Sequence, residues 1–335
     1  MPIHRGGSLC WSALGDIDRG LGIASCGSRS AALLRSFSAG AFQSQMKILV
    51  IGSGGRLGAA LLREYRTTFD SIGFNHAQLD LSNFGNIRER LAAIDFDIAI
   101  NAAAFTNVDL CETEPDQAFR INAEGPGIVA QISADKNAKL IHFSTDYIFD
   151  GEKRAPYTEE DEANPISVYG ESKLAGERNV LAAGDRHLVV RVSWVFGPDR
   201  PSFIDAMIKR AQENEKIDAV ADKFSTPTYT EEIAKMLPQF FHRGVEGGIL
   251  HFANAGKCSW QEYAQWALDC CDQAGVSLKA KKVGASKIKD MANWVARRPV
   301  YSVLSTAKYT HLTGTSPRTW REAVADYITR FYSKK

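Results

Sequence analysis

A chain of 335 residues, 44% hydrophobic and 24% charged, is long enough to bury a large core in one or two domains. Lys and Arg number 40 against 39 Asp and Glu, and a formal net charge of +1 excludes a strong field for nucleic acid or an anionic membrane. No apolar run approaches the ~18 residues of a membrane span, and neither the six cysteines nor the seven histidines show metal-ligand spacing.

Residues 1–45 hold eight serines, seven glycines, four arginines and only two acids, Asp16 and Asp18. That composition is the composition of a transit peptide, yet glycine is frequent and no amphipathic pattern is sustained. A start codon assigned upstream of Met46 is the simpler explanation, and the segment is expected to be disordered. From Met46 the pattern changes. Met46–Ile51 is a short β-branched run of the kind that forms a buried parallel strand. It leads into Gly52-Ser-Gly-Gly55-Arg56-Leu57-Gly58, followed by the helix formers Ala59–Tyr65. Strand, glycine turn and helix N-terminus make a phosphate cradle, because backbone N–H groups can approach a pyrophosphate and the helix dipole favours the anion. The spacing is Gly-x-x-Gly-x-x-Gly, and a tight turn with glycines kept for packing is the weaker alternative.

A second strand should end near Phe74–His76, about twenty residues on, where an acid would bind the ribose 2′-hydroxyl of NAD. None is present, and Asp80 comes too late. Arg56 and His76 are instead suited to a 2′-phosphate, so NADPH is expected over NADH. Asp97–Ala104, Lys139–Asp146 and His187–Trp194 read as further buried strands, with helical segments around 113–135 and 166–182. The fold expected is α/β, a doubly wound parallel Rossmann-type sheet with a smaller C-terminal substrate domain. Its dinucleotide-binding part would span 46–199 plus about 222–256, and its substrate part about 200–221 plus 257–330. Ligands bind at the carboxyl ends of such strands. In the helix around 166–182, Tyr169 and Lys173 are four residues apart and share one face. A lysine cation beside a phenol lowers its pKa and yields an acid for a developing alkoxide. A lone Tyr-x-x-x-Lys also occurs by chance on solvated helices.

Several stretches together are more specific. They are Ile100–Asp109, Ser144–Gly151, Val168–Glu177, Arg191–Gly197, Pro227-Thr228, and Arg298-Pro299 followed by Ser302–Leu304. In order and spacing, Met46 to about Ile328 resembles the dTDP-4-dehydrorhamnose reductases, a branch of the extended short-chain dehydrogenase/reductases. The resemblance implies reduction of the 4-keto group of a nucleotide-linked deoxysugar by NADPH or NADH. It makes Tyr169 the proton donor, Lys173 a partner of the nicotinamide ribose, and Thr145 a hydrogen-bond donor to the ketone oxygen. Seen alone, Thr145 reads equally as a strand-end hydroxyl bonded to backbone.

The same resemblance places Val108, Asp146, Tyr147 and Trp194 around the sugar and Arg298 on its diphosphate. Gly52, Gly55, Arg56, Leu57 and Gly58 would hold the pyrophosphate end of the cofactor. Asp80 and Leu81 would contact adenine, and Ala102, Ala103 and Ala104 are small enough for the cofactor to lie against the sheet. Asn122 resembles the helix asparagine that organises the active-site backbone. Some family members carry a glutamate two positions past the third glycine, contributing to a Mg2+ site at a homodimer interface. Ala60 stands there, which argues against that Mg2+ site and that homodimer without removing either from the reading. Two alternatives come with the resemblance. One is another nucleotide-sugar reductase or epimerase. The other is a non-catalytic NADP-binding regulatory subunit like that of methionine adenosyltransferase, against which the intact Thr145, Tyr169 and Lys173 speak. A reducing cytoplasm is the expected setting.

Overall fold

The computed structural model describes residues 46–333 except 243 and 246; the expectation for residues 1–45 lies outside the described residues. β1 (Lys47–Ile51) is one exposed lysine followed by four buried aliphatic residues. With β2 (Asp70–Phe74), β3 (Ile98–Asn101), β4 (Lys139–Thr145), β5 (Leu188–Val192) and β6 (Gly248–His251) it forms a sheet ordered β6–β5–β4–β3–β1–β2. Every pairing in this sheet is parallel. A parallel sheet needs cover on both faces, and successive residues of one strand serve opposite faces. Ile48 and Val50 pack with Leu61 and Tyr65 of α1 (Arg56–Tyr65) on one side. Leu49 and Ile51 pack with Ile87 and Leu91 of α2 (Phe84–Ala92) and Val129 of α3 (Gly125–Asp135) on the other. α4 (Val168–Ala182) contributes Val180 to that second face.

The chain runs from β1 outward to β2, then crosses back to β3 on β1's other side. The carboxyl ends of β1 and β3 therefore frame the crevice where such sheets take ligands. Gly52 closes β1 with φ +84°, and a Cβ there would lie 2.7 Å from the Ala103 nitrogen. A Cβ on Gly58 would lie 2.1 Å from the Gly52 carbonyl oxygen. Only glycine lets the turn lie this close to β3 and to the helix that follows.

The expected strands are shorter than read. Ala102–Ala104 leave the sheet as a loop, and β5 stops before Ser193. Trp194 has φ +40°, a left-handed conformation that cannot continue a strand. The expected helical stretch 113–135 is broken. Val108–Thr113 ends, Pro115 opens a fresh turn over Pro115–Phe119, and a π turn follows at Arg120–Glu124 before α3. Proline suits a first helical position but no interior one, and a π turn inserts an extra residue into the ladder.

Beyond residue 195 a second apolar cluster gathers α5 (Phe203–Glu213), α7 (Trp260–Gln273) and α8 (Trp320–Phe331) around Tyr263, Leu268 and Tyr327. α6 (Thr230–Met236), between α5 and α7 in the chain, returns to the sheet and packs Ile233 beside α1. Ser259 and Thr319 cap α7 and α8 with reciprocal bonds to Glu262 and Glu322.

Candidate active site

A cleft of about 940 Å³ opens at the β1–β3 crevice. Gly52, Gly54, Gly55, Arg56 and Leu57 line one end, and Asp80, Leu81 and Ala102–Ala104 line its length. Tyr169, Lys173 and Ser144 close the far end. α1 begins at Gly55 with no side-chain cap and no acid in its first turn, so nothing in the helix itself satisfies its N-terminal N–H groups or opposes an anion. The side-chain-free turn and these N–H groups fit a dinucleotide pyrophosphate.

Thr145 ends β4, and Tyr169 lies in the first turn of α4, where the Ser167 side chain accepts from Gly170 N–H. Both side chains are buried. The Thr145 hydroxyl favours the Tyr169 phenolate, but burial outweighs it and pushes the phenol above its usual range. Lys173 does not lower it, which corrects the sequence expectation. The Lys173 Nζ donates to the Phe143 carbonyl at 2.7 Å, and the groups that act on the phenol are Thr145, Asp146 and Cys111. Burial lowers Lys173 to about 8.

Asp146 is fully enclosed and accepts from Thr145 Oγ1 at 3.2 Å, Ser225 Oγ at 3.0 Å and Ser302 Oγ. Burial raises its pKa, opposed first by the Lys223 charge. Tyr147 meets Tyr169 edge-on at 5.6 Å, and Val108 packs against this pair. Trp194 lies over Tyr263 and near Trp260, and its buried Nε1 has no hydrogen-bond partner among the described residues. Asn122 sits in the π turn. It bonds both the N–H (2.8 Å) and the carbonyl (3.0 Å) of Phe105, and Ser172 Oγ at 3.0 Å, tying the loop after β3 to α4.

Two expected ligands are engaged elsewhere. The Arg56 guanidinium donates to the carbonyls of Val195 and Arg200, each at 3.1 Å, and of Pro201. It ties the glycine turn to the 195–201 segment and is not presented to a 2′-phosphate. His76 is 84% exposed and 3.9 Å from Asp80. Arg298 is neither solvated nor open to a phosphate. It forks onto Asp109 at 3.0 and 2.6 Å and stacks 3.9 Å over Trp294. A carboxylate satisfies the same planar fork as a phosphate.

Sequence reasoning missed Lys223. It is completely buried, donates to the Pro299 carbonyl at 2.9 Å, and lies 4.9 Å from the Tyr147 ring and 5.7 Å from Trp194. A lone lysine reads as a solvated one; its place four residues before Pro227 was the only signal. Among the described residues no group of three His, Cys, Asp or Glu is arranged to hold a metal ion, and Ala60 is buried.

Residues 46–333 match the family model described as the RmlD substrate binding domain. A dTDP-4-dehydrorhamnose reductase of Mycolicibacterium smegmatis is 37% identical over 289 residues, covering 84% of this chain and 85% of that protein. A probable dTDP-4,6-dihydroxy-2-methyloxan-3-one 4-ketoreductase of Streptomyces antibioticus is 35% identical, covering 84% and 94%. Among solved structures, dTDP-4-dehydrorhamnose reductase from Bacillus anthracis in complex with NADP superposes with a TM-score of 0.80 at 31% identity, covering 85% and 99%. With the fold and the glycine turn in place, this chain belongs to the dTDP-4-dehydrorhamnose reductase family.

Proposed function

We propose that the enzyme reduces the 4-keto group of dTDP-4-dehydrorhamnose to give dTDP-rhamnose, with NADPH preferred over NADH. The observation that carries this is the placing of Tyr169 and Lys173 in the wall of the glycine-turn cleft, with the Thr145 hydroxyl acting on the phenol. When bound, NADPH supplies the hydride that adds to the ketone carbon. Tyr169 is held protonated by burial and gives its proton to the oxygen only as alkoxide charge develops. Thr145 donates a hydrogen bond to that oxygen. Lys173 holds the nicotinamide ribose. Gly52, Gly55, Leu57 and Gly58 cradle the pyrophosphate, and Asp80, Leu81 and Ala102–Ala104 line the cofactor's bed.

Val108, Asp146, Tyr147 and Trp194 border the sugar, and Arg298 meets the diphosphate once Asp109 releases it. The sheet with 46–199 and about 222–256 forms the dinucleotide part, and 200–221 with 257–330 covers the substrate. The NADPH preference rests on the missing acid near His76. A cytoplasmic homodimer completes the proposal. Buried free Cys111, Cys258, Cys270 and Cys271 suit a reducing compartment, and light scattering tests the pairing.

The test follows NAD(P)H absorbance against a panel of 4-keto nucleotide sugars. Stoichiometric oxidation, fastest with dTDP-4-dehydrorhamnose, is expected; no oxidation with any member would sink the proposal. The Streptomyces relative, whose name gives a different dTDP-sugar, supports a second reading in which another 4-keto sugar of the panel is the better substrate.

A further inference from the structure

Lys173 ends a buried polar chain that the proposed reaction does not use. Its Nζ lies 3.3 Å from His142 Nε2 and donates to the Phe143 carbonyl at 2.7 Å. His142 Nδ1 lies 3.1 Å from Asn101 Nδ2, and Asn101 Oδ1 accepts from the Ala103 N–H at 3.0 Å. Asn101 and His142 have no exposed surface, and Lys173 is 2% exposed.

The order of donors in this chain is forced. A backbone N–H can only donate, so the Asn101 oxygen must face Ala103. The Asn101 amino group then faces His142 and can only donate, which makes Nδ1 the acceptor. A neutral imidazole with its lone pair on Nδ1 carries its proton on Nε2, and Nε2–H points at Lys173. An ammonium offers no acceptor. A charged Lys173 therefore sets donor against donor at one link, and flipping the amide or the tautomer only moves the conflict. A neutral amine removes it, since its lone pair takes Nε2–H while an N–H still serves Phe143.

We propose that Asn101 and His142 are positioning residues that lock the imidazole tautomer and hold Lys173 as a neutral amine in the free enzyme. Burial acts in the same direction on both groups, pushing His142 well below its usual range and Lys173 to about 8; that alone leaves the lysine charged at neutral pH, and the donor conflict supplies the remaining shift. The other titratable neighbours do not oppose this strongly. Glu177, one turn along α4, favours the cation but is claimed by Arg191 of β5 at 2.7 and 2.9 Å. Tyr169 is held neutral, and Asp146 and Cys111 act on Tyr169. The inference deepens the reductase reading and rests on Lys173 being the ribose partner. Lys173 then enters the cycle able to gain a proton rather than as a preformed cation.

Nitrogen-15 NMR of the histidine-labelled full chain, without cofactor at neutral pH, reads the tautomer directly. A proton on His142 Nε2 and none on Nδ1 is expected; a proton on Nδ1 overturns the lock. A second arm titrates Lys173 in [ε-13C]lysine-labelled protein. Asn101→Asp keeps an oxygen for Ala103 but accepts from Nδ1–H, turning the imidazole's lone pair toward Lys173. The Lys173 midpoint should rise by at least ~1 pH unit, a tenfold change in acidity. Added negative charge alone would also raise it, so the same change is made in a His142→Phe background, where most of the rise should vanish. An undiminished rise without the imidazole overturns the proposal. If either variant fails to fold, the wild-type tautomer still decides. NADP+ binding is measured separately by calorimetry: no binding would sink the reductase reading and leave the tautomer result intact.

Discussion

Tyr169 and Lys173 were legible from spacing, because four residues on a helix fix a shared face. Their electrostatics were not, because burial and the Phe143 carbonyl are tertiary facts. Tyr169→Phe should cut turnover at least ~10²-fold with NADPH affinity nearly unchanged, since the proton is needed only as charge develops. Single-turnover rates with parallel binding titrations check this, and wild-type turnover would remove Tyr169 from the chemistry. Lys173→Ala should weaken binding and turnover together. Arg56 was read as a phosphate ligand because it lies in the glycine turn. The structure spends its guanidinium on three carbonyls of the 195–201 segment. Arg56→Ala should therefore weaken NADPH and NADH alike, and a loss confined to NADPH would restore the phosphate role. Lys223 and Arg298 show the same limit from opposite sides. Lys223 went unread and Arg298 was placed on a diphosphate, and only the packing of residues far apart in sequence encloses one and pairs the other with Asp109.

At the scale of elements, the glycine turn and the strands were legible because buried parallel strands read as short apolar runs between breakers. Their ends were not, since Ala102–Ala104 and Ser193-Trp194 stay apolar or small while leaving the sheet for the cleft. The break in the helical stretch at 113–135 follows from Pro115 and the π turn, which places Asn122 against Phe105. Asn122→Ala should loosen the loop after β3. The expected loss is ~1–3 kcal/mol for buried groups left unpaired, read by urea denaturation, with a fall in cofactor affinity. Unchanged stability and affinity would show that the π turn holds the loop without its amide.

For the whole molecule, burial alone lowers three lysines to about 8: Lys139, Lys173 and Lys223. In the unfolded chain each titrates near its ordinary ~10.4. Between about 8 and ~10.4 the unfolded state binds more protons at these lysines, a contribution that raises stability with pH. From ~8.5 the buried thiols Cys111, Cys258, Cys270 and Cys271 oppose it, and above ~10 the buried tyrosines do so too. Their folded values are raised, so the unfolded chain deprotonates first and stability falls. Urea midpoints should therefore climb from pH ~7.5 to ~8.5 and fall beyond it; a climb that continues to pH ~9.5 would show that the thiols and tyrosines are better solvated than their burial implies. Turnover should survive exhaustive chelation at saturating substrate, because Thr145 and Tyr169 can stabilise the one developing charge without a Lewis acid. Activity recovered only on adding magnesium would reveal a ligand set not recognised in the described residues. The most direct measurement uses NADPH deuterated at both C4 positions, with dTDP-4-dehydrorhamnose and product read by mass spectrometry and NMR. One deuterium at the sugar C4 per NADPH oxidised is the expected result. Unlabelled product, or no oxidation of NADPH, would contradict hydride transfer to the 4-keto carbon.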